Sequence, residues 1–297
     1  MDAAVLLPAE APLYLVTVLY NSRDCLPAFA ASLAAQDFFS WRLIAVDNAP
    51  ADGGGAWLAG RDDPRIKIVR NPRNLGFARA ANQGLRAALA EGAEFVVLLN
   101  NDTVLPEDFL GRFRAWQRRL GAEVIAPRIM QLRRPEESWY AGGHLDHGWI
   151  LRNIHEPYDP ATAVPARVVE FASACCLGLS RAVLARTGLF DESFFLDWED
   201  VDFCLRLARA GVAIHYVSDV FLLHEGGHAS GGEFSAAYNR HYYRSYAQML
   251  RKHFGGAVAW RMALRIALKE LGRPHRRWPR LLATLSGLAR GLAAPLR

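Results

Sequence analysis

Phe95-Val96-Val97-Leu98-Leu99-Asn100-Asn101-Asp102 sets five apolar residues in a row and then turns abruptly polar. So short a run, apolar at every position, is expected of a strand covered on both faces, as in a parallel sheet flanked by helices. The same alternation extends upstream. Leu13–Leu19, Arg42–Val46 and Arg65–Val69 read as three further strands. Leu26, Phe29, Ala30 and Leu33 repeat at helical spacing after the first, and a helix over Ala78–Ala90, stopped by Gly92, precedes the quoted strand. Such alternation predicts an α/β domain with a mostly parallel sheet.

Every one of these strands ends in polar residues: Tyr20–Asn21, Asp47–Asn48, Asn71 to Asn74, and Asn100–Asn101–Asp102. Ligands of open parallel sheets bind outside the carboxyl ends of the strands. A single cluster of this kind is an ordinary turn; four of them at four strand ends predict one crevice. Downstream, residues 130–170 are richer in Pro, Gly and His and read as loops and short strands around a pocket. Val168–Leu179 reads as a buried strand, Ser193–Asp197 leads into a helix from Glu199 to Ala210, and Ala213–Val217 and Val220–Leu223 read as two short strands. From Asn239 the chain is expected to be helical, with interruptions at Pro274 and Pro279.

The 297 residues are 52% hydrophobic and 22% charged, which excludes a disordered chain and allows a sizeable core. No uninterrupted apolar run is long enough for a membrane span. Met1–Pro12 holds Asp2 and Glu10 but no Lys or Arg, so the basic region of a secretory signal is missing. Cys25, Cys175, Cys176 and Cys204 form no C-x-x-C pair and read as buried reduced thiols, consistent with a cytoplasmic protein. Net charge is +5, but from Arg251 onward 11 Lys/Arg face the single acid Glu270, so the rest of the chain is mildly acidic. No nucleic-acid-binding module is visible, and basic charge alone does not make one.

Four stretches carry candidate chemistry. Asn74-Leu-Gly76-Phe77 opens the helix that contains Asn82 and Gly84, and helix N-termini offer free N–H groups to anions. Asp102, just past a buried strand, is placed to hold a divalent ion against a diphosphate, since magnesium-type sites use one or two carboxylates plus substrate phosphates. Trp198-Glu199-Asp200-Val201-Asp202 sets three acids beside large apolar groups. Pairing with Arg206 one helical turn on accounts for Asp202 without any function. Glu199 and Asp200 have no such account, and a carboxylate there can act as general base toward a hydroxyl. His224 ends a strand and opens a Gly-rich loop, a location suited to a metal ligand; His228 is the competing candidate.

In this order, the Val-Thr-Val-Leu-Tyr20-Asn21, Val-Asp47-Asn48, Asn74-x-Gly76-Phe77, Leu-Asn100-Asn101-Asp102, Trp-Glu-Asp200 and His224 elements resemble family 2 glycosyltransferases, and most of all their bacterial rhamnosyltransferase-type branch. The likeness covers about residues 11–235. It implies a GT-A fold, a Rossmann-like nucleotide-binding mixed sheet flanked by helices. It further implies that Tyr20, Asn21, Asp47 and Asn74 line the nucleotide pocket, with Gly76, Phe77, Asn82, Asn100 and Asn101 as further donor-site candidates. Asp102 and His224 would hold Mg²⁺ or Mn²⁺, and Asp200, beside Glu199, would be the catalytic base. The first acid of the family's DXD element is Asn100 here, leaving one firm carboxylate for the metal. The implied partners are a dTDP- or UDP-sugar donor, with dTDP-rhamnose preferred, and a glycan or lipid-linked acceptor. A non-catalytic carbohydrate-binding or scaffold protein and a sugar nucleotidyltransferase are the rival readings; Tyr20-Asn-Ser-Arg-Asp24 is not the basic glycine-rich loop that the latter needs.

The domain is expected over residues 11–250, with a basic helical extension over 251–297. There Arg261, Arg265 and Lys269 form a stripe beside Trp260, Leu264, Leu268 and Leu271, and Leu281, Leu285, Leu288 and Leu292 form a second apolar stripe. Such helices can lie on the inner face of an anionic plasma membrane, or pack on the domain or on a second subunit as a homodimer.

Overall fold

A computed structural model of the chain describes residues 11–146, 150–153, 164–226, 235–272 and 278–295. The four apolar runs are strands: β1 (Leu13–Leu19), β2 (Trp41–Asp47), β3 (Ile66–Arg70) and β4 (Phe95–Leu99). They pair in parallel in the order β3–β2–β1–β4, with β4 buried at every position. α1 (Leu26–Ala34), α2 (Gly54–Ala59) and α3 (Phe77–Ala90) connect them. α3 lies directly on β1 because Gly84 has no Cβ, which would run into the Val16 side chain and come within 3.3 Å of Val46 Cγ2.

Beyond β4 the chain changes direction. β5 (Thr103–Val104) and α4 (Phe109–Leu120) lead to β6 (Val124–Gln131), β7 (Arg134–Tyr140), and the ribbon of β8 (Gly143–Asp146) and β9 (Ile150–Asn153). β10 (Ala166–Val169), β11 (Cys176–Ser180), α5 (Arg181–Thr187), α6 (Glu199–Arg209) and β12 (Ile214–His224) follow. β11 is inserted antiparallel between β4 and β6, and β12 lies parallel to β6 with β10 at the edge. The result is a ten-stranded mixed sheet with a second, two-stranded one beside it. All four cysteines are buried and free, as expected.

Three expectations change. The single strand over Val168–Leu179 is two strands, β10 and β11, because residues 170–175 leave the sheet before β11 enters it elsewhere. The two short strands around residues 213–223 are one, β12, whose register shifts between Val217 and Phe221; the shift hides its continuity in the sequence. Pro279 does not interrupt a helix. It is the second residue of α9 (Trp278–Ala293), where its missing N–H costs nothing. Pro274 lies outside the described residues.

α7 (Ala236–Phe254) passes through residues 250 and 251 without a break and ends at Gly255, whose φ of +86° turns the chain into α8 (Gly256–Leu271). α9 runs parallel to α7: Gly287 packs on the Arg240 backbone, where a Cβ would lie 2.5 Å from the carbonyl oxygen, and Gly291 packs on Arg244. The Arg251 guanidinium donates to the carbonyls of Gly291 and Ala294 (3.2 and 2.7 Å) at the other end of α9. α8 runs back antiparallel, with Ala263 in one cluster with Ala247 and Leu288. Among the described residues no helix is long and apolar enough to cross a membrane.

The close approach at Gly84 sets a stability test. Gly84→Ala should lower the midpoint of chemical unfolding and destabilise the fold by about 1–3 kcal/mol, the cost of overpacking, although Ala is the better helix former.

Candidate active site

The carboxyl ends of β1, β2 and β4 open onto one cavity of about 470 Å³. Tyr20, Asn48, Asn74, Gly76 and Phe77 line it from the first strands and the start of α3, and Asn100, Asn101 and Asp102 from the end of β4. Ser173–Cys175 contribute from the segment before β11, and Asp197, Glu199 and Asp200 from the start of α6. Trp139, His224, and Tyr238 and His241 of α7 complete the wall. Asp102, Asp200 and His224, far apart in the sequence, therefore face one space.

Amide side chains set the turn before α3. Asn48 donates to Asn74 Oδ1 (2.9 Å) and accepts from the Asn71 amide (3.1 Å) and the Leu75 N–H (3.0 Å), while Asn74 Oδ1 also takes the Gly76 N–H (2.8 Å). Gly76 follows with φ +86°, and a Cβ there would lie 2.6 Å from the carbonyl oxygen of Phe195. Phe77 donates its N–H to that same oxygen (2.8 Å). The turn is thus clamped to the loop that leads into α6.

Asp102 and His224 are brought together by backbone pairing. β5, the two residues after Asp102, pairs antiparallel with the last two of β12, Thr103 opposite His224, and Glu225 donates its N–H to the Asp102 carbonyl (2.9 Å). His224 Nε2 then lies 3.2 Å from Asp102 Oδ1, with both side chains about 8% exposed. Burial opposes charge on the ring, but Cys175 and the Asp102 carboxylate beside it outweigh that, and the His224 pKa is raised well above its ordinary value. The other ring nitrogen, Nδ1, is buried without a hydrogen-bond partner.

Glu199 and Asp200 begin α6. Asp200 accepts from the N–H of Ala174 (3.3 Å) and of Val201 (2.8 Å), whereas Glu199 Oε2 has no partner. Burial raises both carboxyls; repulsion from Asp200 and Asp197 adds to it at Glu199 and repulsion from Asp197 at Asp200, so that Asp200 is lifted to about 7 and Glu199 well above its usual range. Two N–H donors stabilise the ionised form of Asp200, so of the pair it is the one that ionises more readily. Asp202 differs. Burial alone would raise it, but His253 (2.7 Å), Arg206 (3.0 Å) and Lys252 (2.8 Å) hold it down at about 2. It belongs to the packing of α6 on α7, as its spacing to Arg206 suggests.

The profile described as glycosyl transferase family 2 matches residues 14–188, more than half of the chain. The chain belongs to glycosyl transferase family 2. Over 224 residues, 73% of this chain and 70% of the relative, it is 24% identical to a "dTDP-rhamnosyl transferase RfbF" of Shigella flexneri. Over 281 residues, 86% of this chain and 88% of the relative, it is 27% identical to the "N-acetylglucosaminyl-diphospho-decaprenol L-rhamnosyltransferase" of Mycobacterium tuberculosis. Among solved structures, GalNAc-T7 with UDP, GalNAc and Mn²⁺ superposes with a TM-score of 0.65 at 12% identity, over 96% of this chain but only 55% of that one. The mannosyltransferase PcManGT of Pyrobaculum calidifontis with GDP-Man and Mn²⁺ has a TM-score of 0.55 at 18% identity, covering 96% and 75%. These likenesses give the fold: the mixed sheet with its helices is GT-A, with the C-terminal helices added.

In this glycosyltransferase three expected site residues stand off the cavity wall. Asn21 is exposed, in a turn with φ of +51°. Asp47, 2% exposed, is covered by Gly55, where a Cβ would run into its carboxylate. Asn82 is spent on structure: its amide donates to the Phe190 carbonyl (2.8 Å) and to Glu192 (3.1 Å), and its oxygen takes the Phe190 N–H (3.0 Å). Asn101 reaches the wall, but its amide also donates to the Val18 carbonyl (2.5 Å). His228 lies outside the described residues.

Several wall residues escaped the sequence reading. Trp139 packs edge-on against His224 (4.9 Å), and His241 stacks on Phe195 (4.4 Å). The aromatic run Tyr238-Asn-Arg-His241-Tyr-Tyr243 was the available signal for α7. Asp102 and His224 fit a divalent cation as two protein ligands: one O and one N donor, both buried, beside an unpartnered ring nitrogen. Among the described residues no cluster of three or more His, Cys, Asp or Glu could hold a metal.

The clamp at Gly76 is open to test. Gly76→Ala should force Phe195 and the loop before Asp200 aside, cutting kcat/KM for the donor sugar nucleotide by about 10–100-fold while circular dichroism remains native.

Proposed function

We propose that this glycosyltransferase moves rhamnose from dTDP-rhamnose, with inversion, onto a hydroxyl of a lipid-linked glycan acceptor in the assembly of a bacterial surface polysaccharide. The observation that carries the reading is the single cavity shared by Asp102, His224 and Asp200, reached by the Asn48–Asn74–Gly76 turn. The names of the two rhamnosyltransferase relatives support the donor and the lipid-linked acceptor.

The chain's own residues divide the work. The positive end of the α3 dipole, at Gly76 and Phe77 on the cavity wall, favours the donor's diphosphate. Asp102 and His224 would hold Mg²⁺ or Mn²⁺, which when bound would neutralise the charge growing on the departing nucleoside diphosphate. Asp200 accepts the proton of the acceptor hydroxyl as its oxygen attacks the anomeric carbon. Glu199, protonated beside it, adds no competing negative charge. Phe195, Tyr238 and His241 offer flat, partly apolar surface for the sugar or acceptor ring.

Asp200→Asn should lower kcat by about 10²–10⁴-fold, the range for loss of a general base, with donor binding retained in a thermal-shift assay with dTDP and Mn²⁺; turnover near that of the unmodified enzyme would remove Asp200 from this role. A base works only when ionised, and burial lifts Asp200 to about 7. The kcat/KM profile should therefore fall as pH drops through neutrality, at a higher pH than an exposed carboxylate would give, and this acidic limb should vanish in the variant.

A further inference from the structure

Nine large hydrophobic side chains are exposed among the described residues, and six lie on α8 and the start of α9: Trp260, Leu264, Leu268, Leu271, Trp278 and Leu282, at 46–63% exposure. Folding does not call for them. α8 already has an inward face, where Ala259, Met262, Ala263 and Ile266 meet the rest of the protein. The second leucine stripe of the tail is likewise accounted for, since Leu281 and Leu288 are buried.

The outer surface of α8 is ordered. At about 100° per residue, Trp260, Leu264, Leu268 and Leu271 fall within an arc of about 80°, and Arg261, Arg265 and Lys269, all exposed, fill the adjoining arc of about 80°. An apolar stripe bordered by cations is the pattern of a helix lying in a lipid headgroup layer, where Trp residues also concentrate. The charge of the surrounding tail, 11 Lys/Arg against one acid, favours an anionic surface. A second copy of this chain is the poorer occupant: a two-fold interface through this face would set one basic arc against another.

Topology gives the surface a direction. α9 is parallel to α7 and α8 antiparallel to it, so the end of α8 and the start of α9 lie toward the N-terminal end of α7, where Ala237, Tyr238 and His241 line the cavity.

We propose that the α8–α9 hairpin docks the protein on an anionic bilayer, with the Trp260–Leu264–Leu268–Leu271 stripe in the headgroup layer, and so turns the α7 side of the cavity toward acceptors held in that bilayer. The docking stands on the tail surface alone; the clause on acceptors rests on the transfer reading above.

The test is co-sedimentation of the full-length protein with vesicles of phosphatidylcholine alone and of phosphatidylcholine with phosphatidylglycerol. The unmodified chain is expected to partition onto the anionic vesicles, and high salt to weaken this. The combined Trp260→Ser, Leu264→Ser and Leu268→Ser variant should lose about 100-fold or more in partitioning. Arg261→Gln, Arg265→Gln and Lys269→Gln together should lose about 100-fold at low salt, about fivefold for each charge. A native circular dichroism spectrum and a cooperative thermal unfolding transition show that both variants are folded. Failure of the unmodified chain to sediment with anionic vesicles overturns the proposal, as does unchanged binding by the serine variant. Self-association that the serine variant abolishes, without vesicle binding, also overturns it and assigns the face to a second copy. Hydrolysis of dTDP-rhamnose without vesicles is read separately, so failure of the transfer reading leaves the docking result standing.

Discussion

Two residues of β5 pair with the last two of β12, and this short antiparallel contact places Asp102 against His224. The two side chains are buried, and a buried carboxylate or a charged imidazole without a partner costs several kcal/mol, on the order of the whole stability of a domain. Neither could be held there alone. Nor could so short a ladder form alone. It depends on β12 being fixed along its length by β6 and β10, and on β4 delivering Asp102 to the same edge. The Asn-Asn-Asp102 sequence is therefore only half of a site, and the other half is supplied by the sheet.

The start of α6 shows how one helix terminus sustains acids of different character. A helix dipole favours a negative charge by about 0.3–1 kcal/mol, whereas two unit charges ~4 Å apart repel by about 4 kcal/mol at an effective dielectric constant of ~20. The dipole cannot keep Glu199, Asp200 and Asp202 all ionised. Arg206 and Lys252 settle it for Asp202, which also shares a hydrogen bond with the His253 ring. Glu199, with an unpartnered oxygen, is raised well above its usual range by burial and by Asp200. Asp200 stands between them with two backbone donors, charged near neutrality but weakly enough to remain basic.

The parallel half of the fold was legible in the sequence because apolar runs and helical spacing are local signals; β4 was read to the residue. Long-range pairing was not. β6 carries Pro127 and Arg128 inside an otherwise apolar strand, β12 hides its continuity behind a register shift, and β10 and β11 look like one run although they join the sheet at different places. The candidate site divides the same way. Asp102, Asp200 and His224 were visible as chemistry left unexplained at element ends. Asn82 and Asp47 looked equally suitable, and only packing reveals that one binds the Phe190 backbone and the other lies under Gly55. Tyr238 and His241 were missed because their aromatic run marks a helix with a face to cover but does not say that this helix returns to the crevice.

That return makes α7 the joint between chemistry and tail. Towards the cavity it holds the loop before Asp200: Ser245 donates to the Leu196 carbonyl (2.8 Å), Trp198 packs on Tyr242 and Tyr246, and Lys252 reaches Asp191 (2.5 Å). The loop needs holding, since Asp197 and Trp198 both have positive φ, a conformation that costs a non-glycine residue free energy and persists only where surroundings enforce it. On another face α7 takes α9 through Gly287 and Gly291, which admit no side chain. Small residues at that seam fix α9 closely against the helix that braces the loop before Asp200. An element so placed holds its outer surface in a set orientation to the cavity, whatever covers that surface.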